Sequence, residues 1–361
     1  MGEIRLADVA NNGERLREFL PLATVPDISV VMPCFNASGS VVRAVTSIQA
    51  QTHRNWELWV IDDGSTDDSA DRVAAIAETD PRVRLVRRPH QGVVGASNHG
   101  LSLAGARFIA RMDADDVSLP RRFERQLQTL TDQPALDAVS CLTRFAGDAA
   151  RAGGYAHHVA WTNQALEPER IALNRFIDLP VPHPTLMFRR GLLETCGGYR
   201  AGDFPEDYEL VLRWISRGVR IGKVNEVLFD WHDPPQRLSR NDPRYAMEAF
   251  HRCKAPYLAQ AIAASGGAER ELWVWGAGRP ARKCARPLEQ AWKPSAGFID
   301  IDPRKIGRMI QGRPVVSSAD LPPADTAVIV STVATRGAGE VIRGELTNAG
   351  RIEGRDFWIA A

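Results

Sequence analysis

From residue 28 onward, short apolar runs alternate with segments whose apolar positions recur at helical spacing. The run Ile28–Met32 ends at Pro33, and runs of this kind read as buried parallel strands. Val41, Val42, Val45 and Ile48 follow at helix spacing. The same alternation predicts a strand at Leu58–Ile61, a helix from Ser69 to about Glu78 and a strand at Val83–Val86. A helix closing over Gly100–Ala106 and a strand at Phe108–Met112 come next. Residues 1–26 read as a helical lead-in, with Leu16, Phe19 and Leu20 on a turn or two.

Strand and helix in alternation give a doubly wound, mostly parallel sheet with helices on both faces. Such sheets bind ligands past the carboxyl ends of their strands. Three predicted strands end in polar clusters: Pro33-Cys34-Phe35-Asn36, Asp62-Asp63-Gly64-Ser65 and Asp113-Ala114-Asp115-Asp116. Their tips are expected to converge on one crevice.

The pattern breaks at Pro234, Pro235 and Pro243. Tyr245–Ala264 reads as a helix and Gly266-Gly267 as a linker. A fresh α/β series follows, with strands at Leu272–Trp275, Gly297–Ile301, Ala327–Ser331 and Phe357–Ala360 and a helix from about Gly339. The expected organisation is an N-terminal extension (1–26), a first α/β domain (27–240), a helical linker (241–267) and a second, smaller α/β domain (268–361).

Composition changes this picture little. The 361 residues are 44% hydrophobic and 25% charged, ordinary globular values. The 45 basic residues nearly balance the 44 acidic ones, so no charge excess argues for a nucleic-acid partner. Two local basic runs, Arg82/Arg84/Arg87/Arg88 and Arg121/Arg122/Arg125, read as solvated faces. Five scattered cysteines without metal-ligand spacing fit a reducing compartment. With no apolar run of ~20 residues and a polar start, the expectation is a cytoplasmic protein, open to docking at the inner face of the membrane and to homo-oligomer formation.

Three carboxylates within Asp113–Asp116 repel one another unless a cation lies between them. The natural occupant is Mg2+ or Mn2+ with oxygen ligands. An acidic turn or helix cap is the plainer explanation, and the second acidic tip at Asp62-Asp63 shifts the balance toward the metal. Glu206-Asp207 precedes the helical run Leu210–Trp214. Acids in a first helical turn also answer the helix dipole; the alternative is a general base for a hydroxyl. His183 is pinned between Pro182 and Pro184, and His232 follows Trp231 where the chain leaves the first domain.

Taken in order, ISVVMPCFN, ELWVIDDGSTDDS, RMDADD and FPEDYELVLRW resemble a family 2 glycosyltransferase of the GT-A fold, over about residues 27–240. The resemblance implies an inverting transfer of a sugar from a nucleotide-sugar donor, most commonly a UDP-sugar, to a glycan or lipid-linked acceptor. By the same resemblance Phe35 stacks on the donor base, Pro33 and Asn36 line its pocket and Asp63 accepts from the base. Asp113 lies on the ribose or phosphate side, and Arg111 is a donor-side candidate to stand in for the arginine absent at Ser97. Asp115 is the metal ligand with His232 as a looser match, and Asp207 is the base. Glu206 and His183 are acceptor-side candidates. RMDADD with Pro120-Arg121-Arg122 is similar to a bacterial subgroup that builds surface polysaccharides. Ser97 stands where many members carry an arginine.

In the second unit, Gly276-Ala277-Gly278 follows an apolar strand, and Asp300 comes 22 residues after Gly278. This spacing approaches a dinucleotide fingerprint, so Gly276, Gly278 and Asp300 form a candidate nucleotide site in a Rossmann-like domain. It supports the alternatives of a nicotinamide-dependent oxidoreductase or a nucleotide-sugar binding protein. No catalytic Tyr-Lys or Ser-His set accompanies it.

Overall fold

The structure is a computed structural model that describes residues 25–148, 153–233 and 237–361. The amphipathic turn expected around Leu16, Phe19 and Leu20 lies outside the described residues.

The chain opens with β1 (Ile28–Cys34), α1 (Val41–Gln49), β2 (Trp56–Asp62), α2 (Ser69–Ala77), β3 (Val83–Arg87), α3 (Gly92–Leu103) and β4 (Phe108–Arg111). It continues through β5 (Val117–Ser118), α4 (Arg122–Asp132), β6 (Ala138–Phe145), α5 (Gly153–Thr162) and α6 (Pro168–Asn174). Next come β7 (Met187–Arg189), α7 (Leu192–Cys196), α8 (Glu206–Ser216) and β8 (Ile221–Trp231). These strands form one eight-stranded sheet in the order β3-β2-β1-β4-β7-β6-β8-β5. Strands β1 to β4 run parallel. The short β7 reverses direction between β4 and β6.

β1 shows why the run ISVVM is apolar in every phase. Val30 and Met32 enter a core shared with Val41, Val45 and Ile48 of α1. Val31 enters the opposite core with Leu101, Val211 and Trp214. Each such side chain contributes roughly 1.5–3 kcal/mol by leaving water. Val42, expected on the buried stripe of α1, is 40% exposed; it is one residue, about 100°, beyond Val41 and so off the stripe. Arg122, expected on a solvated face, is fully buried. It donates to the Arg111 carbonyl at 2.7 Å and to Gln126 Oε1 at 3.0 Å, which is how a buried guanidinium is tolerated.

A second sheet is built from β9 (Glu271–Trp275), β10 (Ser295–Ile299), β11 (Met309–Ile310), β12 (Arg313–Val316), β13 (Ala327–Ser331) and β14 (Phe357–Ile359). Its order is β11-β12-β10-β9-β13-β14, parallel except for the β11 edge. Helices α11 (Arg279–Ala291) and α12 (Ala338–Asn348) cover its faces. β10 was expected to reach Ile301; it stops at Ile299, and Ile301 is exposed.

Between the sheets lie α9 (Leu238–Asn241) and α10 (Met247–Ile262). The buried face of α10 belongs to a core that joins Phe176, Tyr208 and Leu212 of the first part to Leu272, Val274 and Val328 of the second sheet. Lys254 of α10 donates to the carbonyls of Phe176 at 2.8 Å and Ala360 at 2.7 Å. Among the described residues no helix is long and apolar enough to cross a membrane.

Candidate active site

The tips of β1, β2 and β4 open onto a cavity of about 1280 Å3. Along one side α3 lies close on the sheet. A Cβ on Gly100 would fall 2.4 Å from Val31 Cγ1 and 3.1 Å from Ile61 Cγ1. That close approach brings the start of α3 to the Asp63 carboxylate, which accepts the main-chain N–H groups of Gln91 at 3.1 Å and Gly92 at 2.8 Å. A carboxylate at a helix N-terminus is favoured by the unsatisfied N–H groups there. His90 Nδ1 lies 2.8 Å from Asp63 Oδ2, and its ring stacks on Phe35 with centroids 4.3 Å apart. Phe35 keeps 46% of its surface exposed. Asn36 adopts φ +47° and accepts the Thr66 N–H at 2.8 Å. Pro33, Phe35, Asn36 and Asp63 thus line one wing of the cavity.

Beyond β4, ligand oxygens of Asp113, Asp115 and Asp116 all lie within 4.8 Å of one another. Asp113 and Asp115 face the cavity. Asp116 is buried behind them, with one oxygen lacking any hydrogen-bond partner. The three differ in charge. Burial opposes ionisation of Asp113, but Arg111 at 2.7 Å outweighs it and holds the carboxyl below its usual range. Burial, then the Asp113 charge, pushes Asp115 up to about 6. Burial, then the Asp115 and Asp113 charges, push Asp116 well above its ordinary value. Two reluctant carboxylates beside an ionised one are a donor set that a hard divalent cation fits.

The opposite wall carries Glu206 and Asp207, both in the first turn of α8. Asp207 accepts the Tyr208 N–H at 2.7 Å through one oxygen. Burial, then the Glu206 charge, pushes its carboxyl up to about 7, where a general base works best. His183 also lines the cavity; its Nε2 lies 2.7 Å from the Tyr199 hydroxyl. Burial, then Arg111, brings the imidazole down to about 3, so it is neutral. His232 is placed differently. Its main-chain N–H reaches Asp116 and its Nδ1 lies 3.3 Å from the Asp230 carbonyl; its ring is not in the carboxylate cluster.

Residues 29–197 match the pattern of Glycosyl transferase family 2. EpsE of Bacillus subtilis (strain 168), named a glycosyltransferase, is 30% identical over 230 residues, 62% of this chain and 79% of its own length. The chain belongs to glycosyltransferase family 2. A second relative, the Escherichia coli UDP-Glc:alpha-D-GlcNAc-diphosphoundecaprenol beta-1,3-glucosyltransferase WfgD, is 35% identical over 104 residues, 28% of this chain and 40% of WfgD. In fold, the glycosyltransferase is similar to S. aureus TarS 1-349 solved with UDP-GlcNAc, at a TM-score of 0.53 and 15% identity over 73% of this chain and 71% of TarS. The large sheet is therefore of the GT-A type.

The transferase's second sheet treats its candidate residues otherwise. Gly276 has φ +117°, and a Cβ there would lie 2.5 Å from the Ala281 Cβ, so glycine is required. Gly278 caps α11. Asp300 accepts the N–H of Ala277 at 2.9 Å and of Asp302 at 2.9 Å, and Lys305 Nζ sits at 3.0 Å. These bonds tie the end of β10 to the glycine turn.

Several cavity residues of the transferase carried no legible signal. Tyr245, Arg244 and Phe250 arrive from the segment entering α10, and Arg237 from the start of α9. Arg237 stacks on Trp231 at 3.9 Å, and its charge bears on Asp113, Asp115 and Asp207. Spacing along the chain has no way to bring these side chains to Asp207.

Proposed function

We propose that this family 2 enzyme is an inverting transferase that moves a sugar from a nucleoside-diphosphate sugar, a UDP-sugar first, to a hydroxyl of a glycan or lipid-linked acceptor in cell-surface polysaccharide synthesis. The observation that carries this reading is that Asp207, with its pKa near neutrality, and the Asp113–Asp115 pair line one cavity. The relative WfgD, whose name specifies a UDP-glucose donor and a diphosphoundecaprenol-linked acceptor, supports the donor and acceptor classes. Cytoplasmic placement, with docking at the inner membrane face, goes with that acceptor.

In this reading Phe35 offers its exposed ring to the donor base, beside Asp63, whose carboxylate retains lone pairs for the base N–H. Arg111 and Arg237 bring positive charge toward the diphosphate. Asp207 takes the proton of the acceptor hydroxyl as its oxygen bonds to the anomeric carbon. The carbon–oxygen bond to the diphosphate breaks and the electron pair leaves with the nucleoside diphosphate. One in-line displacement inverts the anomeric centre. A divalent cation held by Asp115 and Asp113 would add charge neutralisation of the leaving group. Holding donor, acceptor and base together supplies much of the acceleration.

Calorimetric titration with UDP, GDP and their sugar conjugates, in Mn2+ and again in EDTA, tests the reading. Metal-dependent binding of one nucleotide is expected, with transfer from its sugar conjugate. Absence of binding under both conditions would return the aspartate cluster to a structural role.

A further inference from the structure

The wall that holds Asp207 lies past the family's matched segment, which ends at residue 197, and it is completed by a residue 38 positions after Asp207. That residue, Tyr245, lies in the turn Pro243–Tyr245 that leads into α10. Its hydroxyl lies 2.7 and 2.8 Å from the two carboxylate oxygens of Glu206. Glu206 is 5% exposed, lines the cavity and is the chain neighbour of Asp207.

Two carboxylates side by side in a buried first turn repel each other and compete for any proton or donor nearby. A phenol O–H given to Glu206 settles that competition. It fixes the Glu206 carboxylate beside Asp207, which keeps one oxygen on the Tyr208 N–H. The phenol stays a donor, because burial and the Asp207 and Glu206 charges all oppose its ionisation.

Tyr245 is itself held in place. Asp242 and Arg244 form a two-pronged ion pair in the same turn, with Nε–Oδ1 3.0 Å and Nη2–Oδ2 2.6 Å. One turn further, Phe250 packs on Tyr208 with ring centroids 5.0 Å apart. Farther along α10, Tyr257 donates to Glu209 at 2.8 Å. The turn and α10 together therefore touch the start of α8 at Glu206, Tyr208 and Glu209, while the far end of α10 is built into the core of the second sheet.

We propose that Tyr245 is a positioning residue for sugar transfer: its hydroxyl holds Glu206 so that the neighbouring Asp207 faces the acceptor. The inference rests on Asp207 being the base of the proposed reaction. It also assigns the second sheet a part in catalysis, as the anchor of the helix into which the Tyr245 turn leads.

A double-mutant cycle tests it, with Tyr245→Phe and Glu206→Gln made singly and together in the full chain. Tyr245→Phe keeps the ring and removes one hydrogen-bonding group. Loss of a hydrogen bond to a charged group predicts a fall in kcat of about 10- to 100-fold, with donor KM and calorimetric UDP affinity within about twofold. In the Glu206→Gln background the same change is expected to lower kcat by less than about threefold, because the partner is already altered. An unchanged kcat, an equal loss in both backgrounds, or a loss confined to donor affinity overturns the proposal. Urea unfolding of the four proteins reads the bond without turnover. Non-additive unfolding constants are expected, and additive ones overturn the proposal whatever the kinetics. If the wild-type chain transfers from no nucleotide sugar while the unfolding cycle is non-additive, the bond stands and the transferase reading beneath the proposal is what has failed.

Discussion

The Asp116 carboxylate accepts the main-chain N–H of His232 at 2.7 Å, joining the loop after β4 to the end of β8. These two positions are 116 residues apart in the chain. Because the donor is main chain, replacing the imidazole leaves the bond intact. Asp116→Ala strands a part-buried N–H and is expected to destabilise by about 1 kcal/mol. His232→Ala is expected to stay within about 0.5 kcal/mol of the parent, as for a substitution that breaks no such feature. Urea unfolding of both variants measures the difference.

Asp207→Asn preserves shape and the hydrogen bond to the Tyr208 N–H while removing the capacity to take a proton. Transfer is expected to fall by about 10²- to 10⁴-fold, with nucleotide affinity unchanged by calorimetry. Full transfer by this variant would sink the assignment of the base.

The acid limb of kcat follows from the same carboxyl. Burial and Glu206 push Asp207 up to about 7, and the base form is the ionised one. Transfer therefore falls as pH drops through about 7, by about tenfold per unit below it. A limb near pH 4 would mean that another group takes the proton.

Stability runs the opposite way. Asp115 at about 6 and Asp207 at about 7 hold protons in the folded chain that the unfolded chain has released. With more protons bound folded than unfolded between about pH 4 and 7, stability drops as pH rises across that window. Asp115→Asn removes one member of the repelling set. It is expected to raise the melting temperature in EDTA at pH 8 and to abolish the further rise that Mn2+ gives the parent. Scanning calorimetry with and without metal decides it.

Much of the site was legible because its carboxylates sit at strand ends, where polar residues interrupt apolar runs. Asp63, Asp113 and Asp115 stand out in this way, and the tips of β1, β2 and β4 do converge. The reversal at β7 was not legible: three residues are too few for a period, and their direction is set by pairing with β4 and β6. Arg122 misled for a related reason. Its neighbours Arg121 and Arg125 are surface residues paired with Glu226, and only helix geometry turns Arg122 inward to the Arg111 carbonyl. Arg237 and Tyr245 reach the cavity by contacts across tens of residues, and no local pattern marks them.

Tyr208 sits between the base and the second sheet, with its ring in a core to which Leu272, Val274 and Val328 also belong. The two sheets are thus not beads on a string. Cutting the chain ahead of α10 would leave Phe176, Tyr208 and Leu212 facing water right behind Asp207. Heating should melt both sheets in one transition. An evolutionary or engineered exchange of the second unit succeeds only when α10 travels with a matching surface on α8.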